Sequence, residues 1–352
     1  MLKSYLLLFF VFGIAFSAFS QTTFDTTSSY GLAFKKLQHL IENKSGRNFK
    51  QAVFITENTF NNDTLNEEKF NKFIDYSATI IKLWSTFNPI NDYKNMDSAN
   101  FQNNFAIYHF LKDTTKLILN NSEYKHLPYT YDFNDFFGYK DWSNMFVTKL
   151  LETHKGNCHS LPYLYKILAD ELGATCWLSF APNHIYIKNR SKDIGWYNTE
   201  LTSGDFPIDA WIATSGYVPV DAIRNGIYMD TLSDQQSIAQ CVLDLAKGYE
   251  YQTKNYYDGF ILKCCDLTLQ YHPLNVQAIL LKAEVLNRMY EKQLKENDKV
   301  ASQTYTEMEK LYVQLFELGY REMPEKMYMQ WLNSVTQQRS KYGNKKLKAA
   351  FR

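Results

Sequence analysis

Gly156-Asn157-Cys158-His159-Ser160-Leu161-Pro162 opens the stretch that decides the fold, and Asn183-His184-Ile185-Tyr186-Ile187 continues it. Phe146 to Leu151 reads as the end of a helix, which Gly156 and Asn157 break. Leu161, Leu164, Tyr165, Leu168 and Leu172 then form an apolar stripe at helical spacing, with Gly173 as a natural stop. Three strand-like runs follow: Ala174 to Phe180, His184 to Lys188 and Trp196 to Leu201. Ala181-Pro182-Asn183 separates the first two, and the polar run from Asn189 to Gly195 reads as a hairpin turn. The order predicts a helix followed by an antiparallel meander.

That order puts a thiol where a loop enters a helix. Unpaired N–H groups and the positive end of the helix dipole favour thiolate over thiol there, and would stabilise an oxyanion formed by attack of sulfur on a carbonyl. Pro162 has no N–H to offer the carbonyl four residues back, so the ladder begins just after Cys158. A thiolate nucleophile needs a partner to hold its proton, and His184 opens the second strand beside the expected helix start. The imidazole needs a third group to fix its tautomer. Asn198 and Glu200 share one strand face, and the residues leave open which of them serves. Trp142 and Asn144 are the candidate oxyanion side chains upstream.

These residues resemble the transglutaminase-like superfamily, a papain-like thiol core, in its short bacterial form. The resemblance rests on Gly156-Asn157-Cys158 leading a helix that closes with Leu172-Gly173, and on Asn183-His184 before an alternating strand. It continues with Gly195-Trp196-Tyr197-Asn198-Thr199-Glu200-Leu201-Thr202, similar to the family's Trp-containing strand, which ends in an Asp followed closely by Thr. The resemblance implies Cys158 as nucleophile, His184 as base and Glu200, in place of the Asp, as orienting acid. Asn198 as third member would match a papain-type triad instead. The implied activity is thiol-dependent acyl transfer or hydrolysis of an amide in a protein or peptide substrate. The superfamily also includes binding and scaffold modules, so the alternative is a non-catalytic extracytoplasmic module that binds a protein or peptide.

Outward from this core the pattern is helical. On the N-terminal side Leu32, Phe34, Leu37 and Leu40 mark one amphipathic stretch. Phe70, Phe73, Ile74, Ala78, Ile81 and Leu83 mark a second, and Phe105, Tyr108, Phe110, Leu111 and Leu117 a third. On the C-terminal side, Gly248-Tyr249, Tyr256-Tyr257-Asp258-Gly259 and Pro273-Leu274-Asn275 with Ala278 and Ala283 resemble a tetratricopeptide repeat. A further helical pair from Tyr305 to Val335 turns at Leu318-Gly319-Tyr320. The expectation is an α+β protein: residues 21–140 helical, 141–230 the transglutaminase-like core, 231–340 tetratricopeptide-like hairpins offering a surface to a protein partner, and 341–352 a frayed basic tail.

Lys3, the apolar run from Leu6 to Phe12, and Ala18-Phe19-Ser20 read as a signal peptide over residues 1–20, cleaved before Gln21. A secreted or periplasmic location follows as an expectation, with no membrane span left after cleavage. The 38 basic and 37 acidic residues argue against a broad nucleic-acid-binding surface. Of the five cysteines, Cys241 is the candidate disulfide partner of Cys264 or Cys265, joining two helices of one hairpin. His154, Cys158 and His159 would suit zinc, but no CxxC or HxxxH pair accompanies them, and no Gly-rich phosphate loop is present. Neither metal nor cofactor is expected.

Overall fold

The computed structural model describes residues 24–43, 48–119 and 122–350. The expected signal peptide and its cleavage point at Gln21 lie outside these residues. Of the described residues 59% are helical and 10% strand, an α+β arrangement in which helices flank small sheets.

Four helices come first: α1 (Ser29–Glu42), α2 (Phe49–Phe60), α3 (Glu67–Phe87) and α4 (Ser98–Lys112). Ser28, Asn48 and Asn66 cap the first three by accepting N–H groups of Gly31, Gln51 and Lys69. Leu117, expected on the third helix, instead lies in β1 (Thr115–Leu119), which pairs antiparallel with β2 (Ser122–His126). Lys112 closes the helix before it: its ammonium donates to the Leu201 and Tyr129 carbonyls, tying the chain to the core just where the hairpin begins. Next, β3 (Thr130–Tyr131) pairs in parallel with β4 (Lys155–Gly156), and α5 (Val147–Thr153) lies between them in sequence.

The centre is α6 (Ser160–Glu171), followed by the antiparallel sheet β5 (Trp177–Ala181), β6 (His184–Ser191) and β7 (Gly195–Thr199) in the order β5-β6-β7. The expected apolar stripe understates α6. Tyr163, Ile167 and Lys166 are buried along with Leu161, Leu164, Tyr165 and Leu168, so the helix is enclosed on all sides. Lys166, 2% exposed, reaches Asp170 and Asp234 at 3.3 and 3.0 Å. β5 starts at Trp177 and not Ala174 because Ala174 N–H bonds back to Ala169 and Thr175 N–H to the Asn100 side chain. β6 runs past Lys188 to Ser191, where Arg190 pairs with Trp196 and its guanidinium sits 5.5 Å above the indole.

After β7 come α7 (Asp209–Ser215), α8 (Val220–Arg224), α9 (Asp234–Thr253), α10 (Phe260–Tyr271), α11 (Val276–Lys295), α12 (Ala301–Glu317), α13 (Glu325–Tyr342) and α14 (Lys345–Ala350). Ser233 and Gln236 form a reciprocal capping box at the start of α9. Only helices and turns fill residues 237–332. Thr268, late in α10, bonds to the carbonyl of Ala239, early in α9, so the two run antiparallel; Tyr290 on Tyr305 and Gln277 on Tyr320 set α11 against α12 the same way.

One expectation is corrected. The basic tail is docked as far as Leu347, not frayed there: Asn344 N–H bonds to the Phe206 carbonyl, and Leu347, 0% exposed, packs with Tyr93, Phe101, Tyr197 and Phe206. One leucine among lysines anchors it, which a count of charges misses. The disulfide is absent. All five cysteines are buried free thiols, and Cys241 Sγ faces the Ser237 carbonyl of its own helix at 3.6 Å. Among the described residues, no helix is long and apolar enough to cross a membrane.

Candidate active site

The loop into α6 is built by close approach. A Cβ on Gly156 would sit 2.8 Å from Leu150 Cδ1 and overlap the Ser160 hydroxyl, so only glycine fits. Asn157 then caps the helix. Its side-chain oxygen accepts the N–H groups of His159 and Ser160 at 2.9 and 3.2 Å, while its own N–H donates to Ser160 Oγ. The Asn157 carbonyl takes the Leu161 N–H, and Pro162 has none to give Cys158. Cys158 is therefore held between cap and helix, and no group among the described residues takes its N–H.

His184 closes the β5–β6 hairpin opposite Ala181. Asn183 in the turn adopts a left-handed φ of 55°, which asparagine tolerates, and its amide donates to the Met323 carbonyl at 2.8 Å. The register that sets Ile187 opposite Thr199 carries Glu200 onto the same face of the sheet as His184. His184 Nε2 lies 2.6 Å from Glu200 Oε2, and Glu200 Oε1 accepts the Thr202 N–H at 2.7 Å. Asn198, the other candidate, pairs with Lys188 farther along the strand and spends its amide on the Pro207 carbonyl and Asp209 at 3.0 and 2.7 Å. Glu200, not Asn198, orients the imidazole.

The other face of the imidazole meets the thiol. Cys158 Sγ also faces the Asn183 carbonyl at 3.8 Å. Burial by itself would push the thiol up, but the hydrogen bond and charge of His184, the hydroxyl of Tyr328 and the charge of His159 bring it below its ordinary 9.0. Burial would likewise lower His184; the Glu200 carboxylate and the Cys158 sulfur outweigh it and hold the imidazole at about 10. Glu200 is lowered against its own burial by the His184 cation and the Thr202 N–H. By contrast Cys176 is pushed up to about 12 by its burial, which the Lys166 charge only partly offsets against Asp170 and Asp234. The His184 and Glu200 side chains are 2% and 3% exposed, so their pairing is little screened.

Three residues at the site have no signal in the sequence. Tyr328 of α13 donates its hydroxyl to Cys158 Sγ at 3.4 Å and lies 3.3 Å from His184 Nδ1. The Tyr131 hydroxyl is 3.5 Å from that of Tyr328, and the Trp331 ring stands edge-on to His184 at 4.6 Å. All come from elements distant in sequence, and nothing in their local pattern marks them. On the open side Cys158 and His184 face a cavity of about 420 Å³ walled by Phe136, Phe137, Trp142 and Tyr228. Of the candidate oxyanion side chains, Trp142 faces this cavity. Asn144 is committed: its amide nitrogen donates to Asp135 and its oxygen receives Lys149, so it braces the loop and is not free for an oxyanion. His154, grouped with Cys158 in the zinc reading, instead stacks on Tyr129 at 4.5 Å and bonds to the Leu127 carbonyl.

Comparison of the chain with protein-family models, with curated proteins and with solved structures found no match in any of the three.

Proposed function

We propose that the protein carries out thiol-dependent acyl chemistry on an amide of a protein or peptide, either hydrolysing it or transferring the acyl group to another amine. The observation that carries this is the gathering of Cys158, His184 and Glu200: the imidazole lies 2.6 Å from the carboxylate through Nε2 and 3.3 Å through Nδ1 from the Tyr328 hydroxyl, which donates to Cys158 Sγ at 3.4 Å, and Cys158 and His184 border a cavity. Sulfur attacks the carbonyl carbon, forming the C–S bond and an oxyanion beside the Cys158 N–H. The oxyanion collapses, the C–N bond breaks, and the departing amine takes the proton from His184. Water or a second amine, deprotonated by the same imidazole, attacks the thioester and frees the thiolate. The resemblance of residues 156–202 to the transglutaminase-like superfamily supports the reading. So does the residue pattern over 1–20 for an exported protein, which N-terminal sequencing at Gln21 in a native host tests.

One observation favours the second reading, a non-catalytic binding module: Cys158 is only 9% exposed, with Tyr328 and Tyr131 over one side. Treatment with p-nitrophenyl acetate separates the two. An enzyme releases a stoichiometric burst of nitrophenolate and carries an acetyl thioester on Cys158, found by mass spectrometry and lost in Cys158→Ala. If wild type and Cys158→Ala behave alike, the binding module is the correct reading.

A further inference from the structure

A second imidazole borders the same cavity, and the reaction above does not use it. His159 directly follows Cys158. Its Nε2 lies 3.1 Å from Asp244 Oδ2 and its Nδ1 2.9 Å from the Met145 carbonyl. Both ring nitrogens face acceptors, and a neutral imidazole has only one N–H, so this geometry requires the doubly protonated cation. Asp244 receives only donors: the Tyr163 hydroxyl at 2.7 Å and the Gln240 amide at 3.1 Å besides His159. It is therefore ionised. The pair is nearly enclosed, at 15% and 14% exposure, and the Tyr163 ring packs on the imidazole with centroids 4.0 Å apart. A cation fixed in so little water acts on neighbouring charge far more strongly than a surface one.

We propose that His159, locked as a cation by Asp244 and the Met145 carbonyl, is a positioning residue that holds Cys158 as thiolate and so makes the thiol's reactivity depend on the docking of α9 against α6. The inference rests on the thiol reading of the site and adds to it a role for the C-terminal helices. Asp244 belongs to α9 and His159 immediately precedes α6, so the ion pair that fixes the charge next to Cys158 in the chain exists only when the two helices are packed. The groups that face this assembly are few. Around the sulfur stand His184, Tyr328 and Tyr131, with Glu200 behind His184. Around His159 stand Asp244 and Tyr163, with Glu57 of α2 and Lys247 of α9 near by. The direction agrees: burial lowers His159, yet Asp244 and the Met145 carbonyl raise it above its ordinary value.

The test is the pH profile of Cys158 alkylation by iodoacetamide in the full chain. His159→Gln should move the midpoint up by roughly half to one unit, slowing alkylation near neutral pH roughly two- to fourfold once the greater nucleophilicity of the more basic thiolate is counted. His159→Lys, which returns the charge, should recover most of the loss, an outcome that a merely structural role would not produce. Asp244→Asn should act like His159→Gln. A measurement without mutation stands beside these: in wild type the nitrogen NMR shifts of the His159 ring should report two protonated nitrogens well above neutral pH. A neutral ring there overturns the proposal. A lowered wild-type midpoint that moves with His184→Gln but not with His159→Gln overturns the role of His159 alone. An unperturbed wild-type midpoint removes the thiol–imidazole reading together with it.

Discussion

Replacing His184 by glutamine removes the cation against Cys158 while an amide N–H can still reach Glu200. The protein carries its own reference thiol. Cys176, equally enclosed and with the Lys166 charge acting on it but no hydrogen bond from a cation, is pushed up to about 12, whereas Cys158 lies below 9.0. Loss of a cation in contact with the sulfur should raise Cys158 by up to about three units, or ~4 kcal/mol, the range set by one neighbouring opposite charge. The thiolate fraction near neutral pH then falls by up to roughly a thousandfold. A more basic thiolate is also more nucleophilic, with a Brønsted slope of about 0.4–0.5, which returns roughly fifteen- to thirtyfold. Iodoacetamide alkylation of Cys158 should therefore slow by a net factor of up to roughly thirty to sixty, and its pH midpoint should rise by roughly two to three units. The assay is quenched alkylation followed by peptide mass spectrometry, with Cys241, Cys264 and Cys265 as buried, slow internal controls. A His184→Gln protein that alkylates at the wild-type rate, with the wild-type midpoint, refutes the pairing.

Tyr328→Phe deletes the hydroxyl donated to the sulfur and should raise the same midpoint by about one unit, less than His184→Gln, since a hydrogen bond to a charged group contributes roughly 1.5–3 kcal/mol. Glu57 accepts the Val147 and Thr148 N–H groups, one on each oxygen, at the buried start of α5; Glu57→Gln sets an amide N–H against a backbone N–H and should destabilise the fold by ~1–3 kcal/mol in urea denaturation. The buried pair has a pH signature. The raised imidazole contributes stability that is complete below 6.5 and lost as pH rises through about 10, while the lowered thiol contributes stability present above 9.0 and lost as pH falls through its lowered value. The two slopes cancel only between the thiol's lowered value and 9.0; above 9.0 the imidazole alone sets the slope, so wild type should lose ~1 kcal/mol between about pH 9 and 10, measured by urea denaturation at stepped pH.

The helix-then-meander order is legible because its signals are local. Leu161 to Leu172 repeat at helical spacing, Gly173 takes φ +65° after the helix, and Pro182-Asn183 makes the tight turn between β5 and β6. Strand ends are less legible because they are set by partners elsewhere in the chain. Trp177 begins β5 only because Asn100, on α4, takes the Thr175 N–H. Leu117 reads as helical because a single apolar residue fits either period; its strand is fixed by pairing with Tyr124. The tail reads as solvated because Leu347 needs a pocket made by Tyr93, Phe101, Tyr197 and Phe206, whose assembly no local window contains.

The site divides along the same line. Cys158, His184 and Glu200 fall on one helix start and two adjacent strands, so strand alternation and turn chemistry are enough to bring them together. Beyond His184, the groups that adjust how strongly the sulfur is ionised come from far away: Tyr328 is 170 residues from Cys158, and Asp244 is 85 from His159. A chain that folded only its centre would align the three reacting groups and lack the Tyr328 hydroxyl and the Asp244 carboxylate. Its thiol would keep the hydrogen bond to His184 yet lose two of the influences that offset burial. The helices outside the centre thus have a chemical consequence besides packing. They supply the surroundings in which a buried thiol can remain charged, and a perturbation that loosens α13 or α9 without unfolding the sheet should appear first as slower alkylation of Cys158.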